Sequence, residues 1–333
     1  VSDPLLAVAF AAAAIVSLGG SWVLVVRLER VGARLGLAEG LLGLLAALAA
    51  DAPEITAAAT ALQGHHAKIG AGVVIGSNVF NLAALLGLSA MLAGRIALHR
   101  RVILLEAAVA LPIAIVCFAA VIGGPSPLAG LIVVTAVLAA YVTVLGVRHE
   151  RLSRIGLPER WSRWLRGAVV EEEQELEPAI HPERGGAADA VVAVVAVIVV
   201  VGASVAMEQS ASTFGARHAI PEIIVGGLIL AAVTSLPNAV AAVYLAGRGR
   251  GAATLSTAMN SNALNVAAGL LLPAVFVGLG ATSSQTTLVA AWYLGMTALA
   301  LGSAYLAHGL GREQGALIIG AYLAFVAVLV ATT

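Results

Sequence analysis

Ten stretches of this chain are each long and apolar enough to cross a lipid bilayer, at roughly 4–26, 38–63, 69–94, 102–123, 127–147, 187–209, 221–246, 252–279, 286–308 and 314–332. A membrane-crossing helix needs about 20 predominantly apolar residues. Inside the bilayer every backbone N–H and C=O must bond within the segment, so each stretch is predicted to be helical. Composition excludes the soluble alternative. Only 11% of the 333 residues are charged, 60% are hydrophobic and mean hydropathy is +1.00. A soluble domain carries about a quarter charged residues, so polar groups are too few here to coat a water-facing surface. The lipid bilayer is the first expected partner. Formal net charge is zero, and no basic excess points to nucleic acid. The single cysteine, Cys117, cannot close an intrachain disulfide and belongs to no metal-binding cysteine cluster. Val1-Ser2-Asp3-Pro4 lacks the positive leader of a signal peptide, so the first apolar run is read as a membrane helix.

The charges divide the chain. Residues 148–186 form the one long polar stretch, with arginines from Arg148 to Arg166 followed by the acidic run Glu171 to Glu177. This reads as a linker between a first half (1–147) and a second half (187–333), each with five helices. With ten spans, the first, third, fifth, seventh and ninth connections share one face. That face receives Arg27, Arg30, Arg34, Arg95, Arg100, Arg101, Arg148, Arg151, Arg154, Arg160, Arg163, Arg166, Arg184, Arg248, Arg250 and Arg312, which are 16 of the 18 basic residues. Lys68 and Arg217 alone fall opposite. Basic residues collect on the cytoplasmic side. The expectation is therefore a multi-pass protein of the cell (inner) membrane, with a cytoplasmic linker and both termini outside. Five helices per half place the second half upside down relative to the first.

The halves also share residues. A shift of 184 aligns 43–84 with 227–268 without a gap, and eleven positions are identical. Alanine and leucine matches carry little weight in so apolar a chain. The matches Pro53/Pro237, Ser77/Ser261, Asn78/Asn262 and Asn81/Asn265 carry more, because such residues are scarce in membrane spans. Inverted repeats of this kind build secondary transporters, whose sites lie near the midplane on broken helices. Pro53 and Pro237 are the predicted breaks, since proline removes a helical hydrogen bond and frees a carbonyl upstream. The predicted fold is an all-α integral membrane protein: ten transmembrane helices as two inverted five-helix repeats with broken helices at the centre.

Asp51 and Glu54 lie near one face of the second span, with Ala47 one turn before. Ser77, Asn78 and Asn81 follow within one turn of the third. The second half supplies Ala231, Thr234, Ser235 and Asn238, then Ser261, Asn262 and Asn265. Hard cations such as Ca²⁺ take about 6–8 oxygen ligands. A carboxylate at the bilayer centre costs about 2.5–3.5 kcal/mol on insertion scales, and these four spans hold no Lys or Arg at that depth. The missing partner is read as a mobile cation or a proton.

These residues resemble the two α-repeats of the calcium:cation antiporter superfamily, with prokaryotic sodium/calcium exchangers as the nearest branch. The first is Ala-Pro-Glu at 52–54 with Gly-Ser-Asn-Val-Phe-Asn at 76–81, within about 38–94. The second is Thr-Ser-Leu-Pro-Asn at 234–238 with Asn-Ser-Asn-Ala-Leu-Asn at 260–265, within about 221–279. The resemblance implies a four-residue ion-binding centre of Glu54, Asn81, Asn238 and Asn265. It adds hydroxyls from Ser77, Ser235 and Ser261, and backbone ligands from Ala47, Ala50, Ala231 and Thr234. It implies Na⁺/Ca²⁺ exchange by alternating access, with helices one and six rocking against helices two, three, seven and eight. The implied ligands are transported Ca²⁺ with Na⁺ or H⁺, with no prosthetic group, and the expected functional unit is a monomer. Asn238 departs from the family, which has Glu there, while Asp51 stands where the family has Ser. The acidic count is thus restored from one side, and two such close carboxylates repel unless a cation or proton lies between them. H⁺-coupled Ca²⁺ exchange stays open, as does a divergent substrate.

Two further function classes stay open. In an intramembrane enzyme Asp51 and Glu54 would be an acid/base pair, although no membrane-embedded His or zinc motif accompanies them. A sensor or scaffold that keeps the fold would bind ions without flux. Glu106 and Glu208 lie near span ends and are expected to snorkel to the interface. His65 and His66 are expected in a solvated loop.

Overall fold

The computed structural model describes residues 2–35, 37, 39–146, 164, 165, 167 and 185–333. The basic and acidic runs of the linker fall outside the described residues. In chain order the helices are α1 (Asp3–Arg34), α2 (Glu39–Ala50), α3 (Ala52–Gln63), α4 (Ala67–Asn81), α5 (Ser89–Ala93), α6 (Arg100–Val121) and α7 (Pro127–Gly146). The second half has α8 (Ala187–Arg217), α9 (Glu222–Ile224), α10 (Ala231–Thr234), α11 (Leu236–Gly247), α12 (Gly251–Leu264), α13 (Leu272–Val277), α14 (Ser284–Ala307) and α15 (Arg312–Ala331). Eight helical segments of the described residues are apolar and long enough to cross a membrane, and two bent pairs bring the total to ten. The bent pairs are the second and seventh spans of the sequence reading.

The 184-residue relation extends well beyond the shared residues. Asp3 and Ala187, Ala52 and Leu236, Ala67 and Gly251, and Arg100 and Ser284 each begin a helix, and the members of each pair are 184 apart. The two halves are thus built to one plan through most of their length, even where no residue is shared.

Contacts between connections sort the chain ends into two faces. On one, strand β1 (Arg95–Ala97) pairs antiparallel with β2 (Gly309–Gly311), joining the third connection to the ninth. A Cβ on Gly251 would lie 2.0 Å from the Ala97 carbonyl oxygen, so the seventh connection abuts the same place. Gly185 N–H donates to the Arg30 carbonyl at 3.0 Å, joining the fifth to the first. On the opposite face, His66 of the second connection meets Glu222 after the sixth at 3.0 Å. Asp3, at the start of α1, meets Arg217 and His218 there. These are the groupings that ten alternating spans require. The small β-pair was not foreseen in a chain read as wholly helical; three-residue strands leave no alternating pattern to read.

Burial separates centre from periphery. In the most apolar window of the α4 span 94% of residues are buried, against 28% for α1 and for α8 and 22% for α7 and for α15. The outer helices present Ile15, Trp22, Ile198 and Phe276 outward, between 66% and 81% exposed, as lipid-facing surfaces should. The long helices α1 and α8 pack along one another. Their contact includes a buried Ser17–Ser204 hydroxyl pair at 2.7 Å and an Arg27–Asp189 ion pair at 2.7 Å.

Candidate cation-binding site

Each half bends its second span. The α2–α3 pair turns by 51° at Asp51, and the span that ends in α11 turns by 47° at Ser235. The breaks fall two residues before Pro53 and Pro237, not at the prolines as the sequence suggested. A proline near the start of a helix loses nothing, because that N–H has no partner there anyway. Its missing bond is felt four residues back. The carbonyl left open by Pro53 belongs to Ala49, and the Ser21 hydroxyl of α1 donates to it at 3.0 Å. Sequence reasoning missed Ser21, because nothing in a single chain marks which helix will cover a freed carbonyl.

The third span of each half changes pitch at the site. Leu82–Leu88 follows Asn81 as a π-helical segment, and Asn265–Leu271 begins one at the matched residue. A third occupies Val225–Leu230, just before the second break. Wide turns of this kind cluster at functional sites. They leave no period in so uniformly apolar a sequence.

The two bends and the two third spans meet at the centre, where Asp51, Glu54, Ser77, Asn78, Asn81, Thr234, Ser235, Ser261 and Asn265 are fully buried and Asn238 and Asn262 nearly so. The contacts obey the repeat. Asn78 Nδ2 donates to the Asn262 carbonyl at 3.1 Å, and Asn262 Nδ2 returns the bond to the Asn78 carbonyl at 3.2 Å. Asn81 Nδ2 donates to Asn262 Oδ1 at 3.0 Å, and Asn265 Nδ2 to Asn78 Oδ1 at 3.2 Å. Ser261 bridges further, receiving Asn81 at 3.1 Å.

The carboxylates occupy matched places in this pattern. Ser235 donates a very short hydrogen bond to Glu54 Oε1, and Asn265 Nδ2 donates to Oε2 at 2.5 Å. Across the axis, Asn238 Nδ2 donates to Asp51 Oδ1 at 2.6 Å and the Ser261 hydroxyl donates to the same oxygen at 2.7 Å. The shift by 184 turns Asp51 into Ser235 and Glu54 into Asn238. The pairs Glu54–Ser235 and Asn238–Asp51 are therefore equivalents, and each holds one carboxylate. Asp51 faces the centre and stands directly against Asn238.

Three oxygens at the centre have no hydrogen-bond partner: Asp51 Oδ2, Asn81 Oδ1 and Asn265 Oδ1. Buried acceptors left unpaired cost about 1–3 kcal/mol each, and three together are acceptors for a cation or proton. Neither Asp51 nor Glu54 is ion-paired to a Lys, Arg or His among the described residues. No cluster of three or more His, Cys, Asp or Glu forms among them either, so the donors on offer are carboxylate, amide and hydroxyl oxygens. The expected backbone ligands are largely engaged within the helices: the Ala231 carbonyl accepts Ser235 N–H at 3.2 Å and the Thr234 hydroxyl at 3.3 Å. The Ala231 carbonyl lies beside the site, 3.5 Å from the Ser77 hydroxyl. The Ala47 carbonyl accepts Asp51 N–H at 2.9 Å, and the Ala50 carbonyl turns toward Ser21 of α1 at 3.4 Å. Thr234 spends its hydroxyl on the Leu230 carbonyl at 2.9 Å.

Two expectations fail. Glu106 and Glu208 do not snorkel: they are 0% and 3% exposed. Glu106 accepts from Tyr141 at 3.2 Å inside the bundle, and Glu208 lies within electrostatic reach of His66. Glu106 lies about two turns and Glu208 about two and a half turns from a helix end, but neighbouring helices rather than lipid cover them.

Two inverted five-helix halves meeting at crossed helix breaks around buried oxygen donors define an inverted-repeat membrane transporter. Residues 5–154 and 189–331 match the family described as sodium/calcium exchanger protein. The chain belongs to that family; it is a membrane cation exchanger and not an enzyme. Comparison with curated protein sequences finds no match. Among solved structures the fold is similar to that of the sodium-calcium exchanger NCX_Mj soaked with 10 mM Na⁺ and zero Ca²⁺, at a TM-score of 0.61 and 21% identity, over 98% of this chain and 99% of that one. The H⁺/Ca²⁺ exchanger CAX is similar at a TM-score of 0.70 and 13% identity, over 98% and 86% of the two chains.

Proposed function

We propose that the protein exchanges Ca²⁺ for Na⁺ across the cell membrane by alternating access, with the cations bound between the two repeats by Asp51, Glu54, Asn81, Asn238 and Asn265 and the hydroxyls of Ser77, Ser235 and Ser261. The observation that carries this reading is the pair of buried carboxylates without a basic partner among the described residues, set among three orphaned oxygens. A mobile cation supplies the charge that the protein withholds. Asn78 and Asn262 hold the two third spans together through their reciprocal bonds. The α1–α8 pair is the moving part, because it touches the breaks from outside through contacts such as Ser21 to Ala49. The arginine-rich face is cytoplasmic, with both termini outside.

A proton-coupled exchange is the second reading. Asp51 and Glu54 stand one turn apart on one side of the break, and a single proton relieves their repulsion. Radiolabelled calcium uptake into proteoliposomes, driven separately by a sodium gradient and by a pH gradient, decides between them. Uptake under the sodium gradient supports the first reading, and uptake under the pH gradient alone supports the second. Silence under both, with Glu54→Gln equally silent, removes calcium exchange altogether.

A further inference from the structure

The charge of the central site can be counted. The four spans that build it, at about 38–63, 69–94, 221–246 and 252–279, hold the carboxylates Glu39, Asp51, Glu54 and Glu222 and no Lys, Arg or His. Glu39 and Glu222 begin helices at the two faces. Asp51 and Glu54 remain at the centre, within electrostatic reach of one another. Their hydrogen bonds come from the hydroxyls of Ser235 and Ser261 and the amides of Asn238 and Asn265, all uncharged. The site therefore offers two negative charges, and none of its donors offsets them.

The repeat divides those charges evenly. Glu54 is bonded by Asn265, whose Oδ1 is orphaned. Asp51 is joined through the Ser261 hydroxyl to Asn81, whose Oδ1 is orphaned as well. Asn81 and Asn265 are equivalents under the 184-residue shift. The result is two like cradles, each with one carboxylate and one open amide oxygen.

Solvent does not share a charge left over at this depth, because Asp51, Glu54, Asn81 and Asn265 are all 0% exposed. An uncompensated charge so placed carries a large desolvation penalty. The loaded site is lowest in energy when the ions it carries cancel both carboxylates and no more.

We propose that the central site holds either one divalent cation between the two cradles or two monovalent cations, one in each, so that exchange moves no net charge. This deepens the exchanger reading given above and rests on it.

The final gradient tests it. Calcium uptake into proteoliposomes is followed to completion under the sodium or pH gradient that drives it, with the membrane potential set by potassium and valinomycin. One charge moved per turnover would shift the final calcium gradient about fiftyfold at about 100 mV. No shift is expected for wild type, and a shift of that size overturns the proposal. A tenfold gradient of the coupling ion is expected to sustain a calcium gradient of about a hundredfold, whereas about a thousandfold, the mark of three ions per calcium, overturns it. Asn238→Glu adds a third carboxylate and is expected to make uptake respond to the potential. An unchanged response overturns the link between carboxylate number and charge moved. Asn81→Asp adds a carboxylate of the same shape as the amide and repeats the measurement should Asn238→Glu not fold. If wild type carries no flux under either gradient, the exchanger reading has failed separately. Equilibrium calcium-45 and sodium-22 binding to the protein in detergent then decides the charge of the site. One calcium or two sodium ions per protein, each excluding the other, supports the proposal, and any other ratio, or no binding, overturns it.

Discussion

A carboxylate at the centre of a membrane protein is held by its partners, and at this site they come from the other repeat. Glu54 is bonded by Ser235 and Asn265, and Asp51 by Asn238 and Ser261. Because Asp51 and Asn238 touch directly, the charge can sit on either member with little change in the field at the centre. Asp51→Ser removes one of two carboxylates, and calcium uptake is expected to fall about a hundredfold, the equivalent of about 2.7 kcal/mol of ion binding. The double variant Asp51→Ser/Asn238→Glu moves the charge across the 2.6 Å contact and restores uptake to within about tenfold of wild type. Failure of that rescue, in protein that still elutes as a single folded species, would show that the position of the charge matters and not only its presence. The resemblance to the two α-repeats implied that Glu54, Asn81, Asn238 and Asn265 lie together. It could not orient Asp51, because a half-turn around the break would send that side chain outward.

At the scale of elements, the strongest constraint is the approach of α4 to the π-helical segment Val225–Leu230. Gly72 and Gly76 face Gly226 and Gly227 with no side chain between the backbones. Gly76→Ala places a methyl group against the Gly227 carbonyl, where no flexible side chain can yield. Overpacking of this kind costs about 1–3 kcal/mol. The expected result is a lower thermal midpoint, together with easier solvent access to the centre from the face opposite the arginines. Thiol labelling of a cysteine introduced at Ser77 reports that access, and an unchanged labelling rate would argue that the contact is not the seal. The sequence contains these glycines but does not say which surfaces they meet. A glycine permits contact without naming the surface it meets.

At the scale of the molecule, the two faces are defined twice over. The distribution of arginines separates odd from even connections, and the β1–β2 pair and the His66–Glu222 and Asp3–Arg217 contacts separate them again. Cysteines introduced at Arg95, Arg250 and Arg312 are expected to react with a membrane-impermeant maleimide from the cytoplasmic side alone. Cysteines at His65, Ser126 and Ser283 are expected to react from outside alone. Native Cys117 is fully buried and contributes no background. Reaction of any residue from the wrong side would break either the span count or the orientation.

Length and polarity decide how many times a chain crosses a bilayer, and both are local. The ten spans, the two inverted halves and the matched prolines and asparagines were therefore readable from one strand of letters. Geometry between helices is not local. The break at Asp51 rather than at Pro53, the capping of Ala49 by Ser21, the π-helical turns after Asn81 and from Asn265, and the burial of Glu106 and Glu208 all depend on which helix lies beside which. That arrangement follows from packing ten similar apolar cylinders, whose surfaces carry almost no periodic signal. Only where the cylinders cross do their few polar atoms find one another, and the tertiary structure alone says which do.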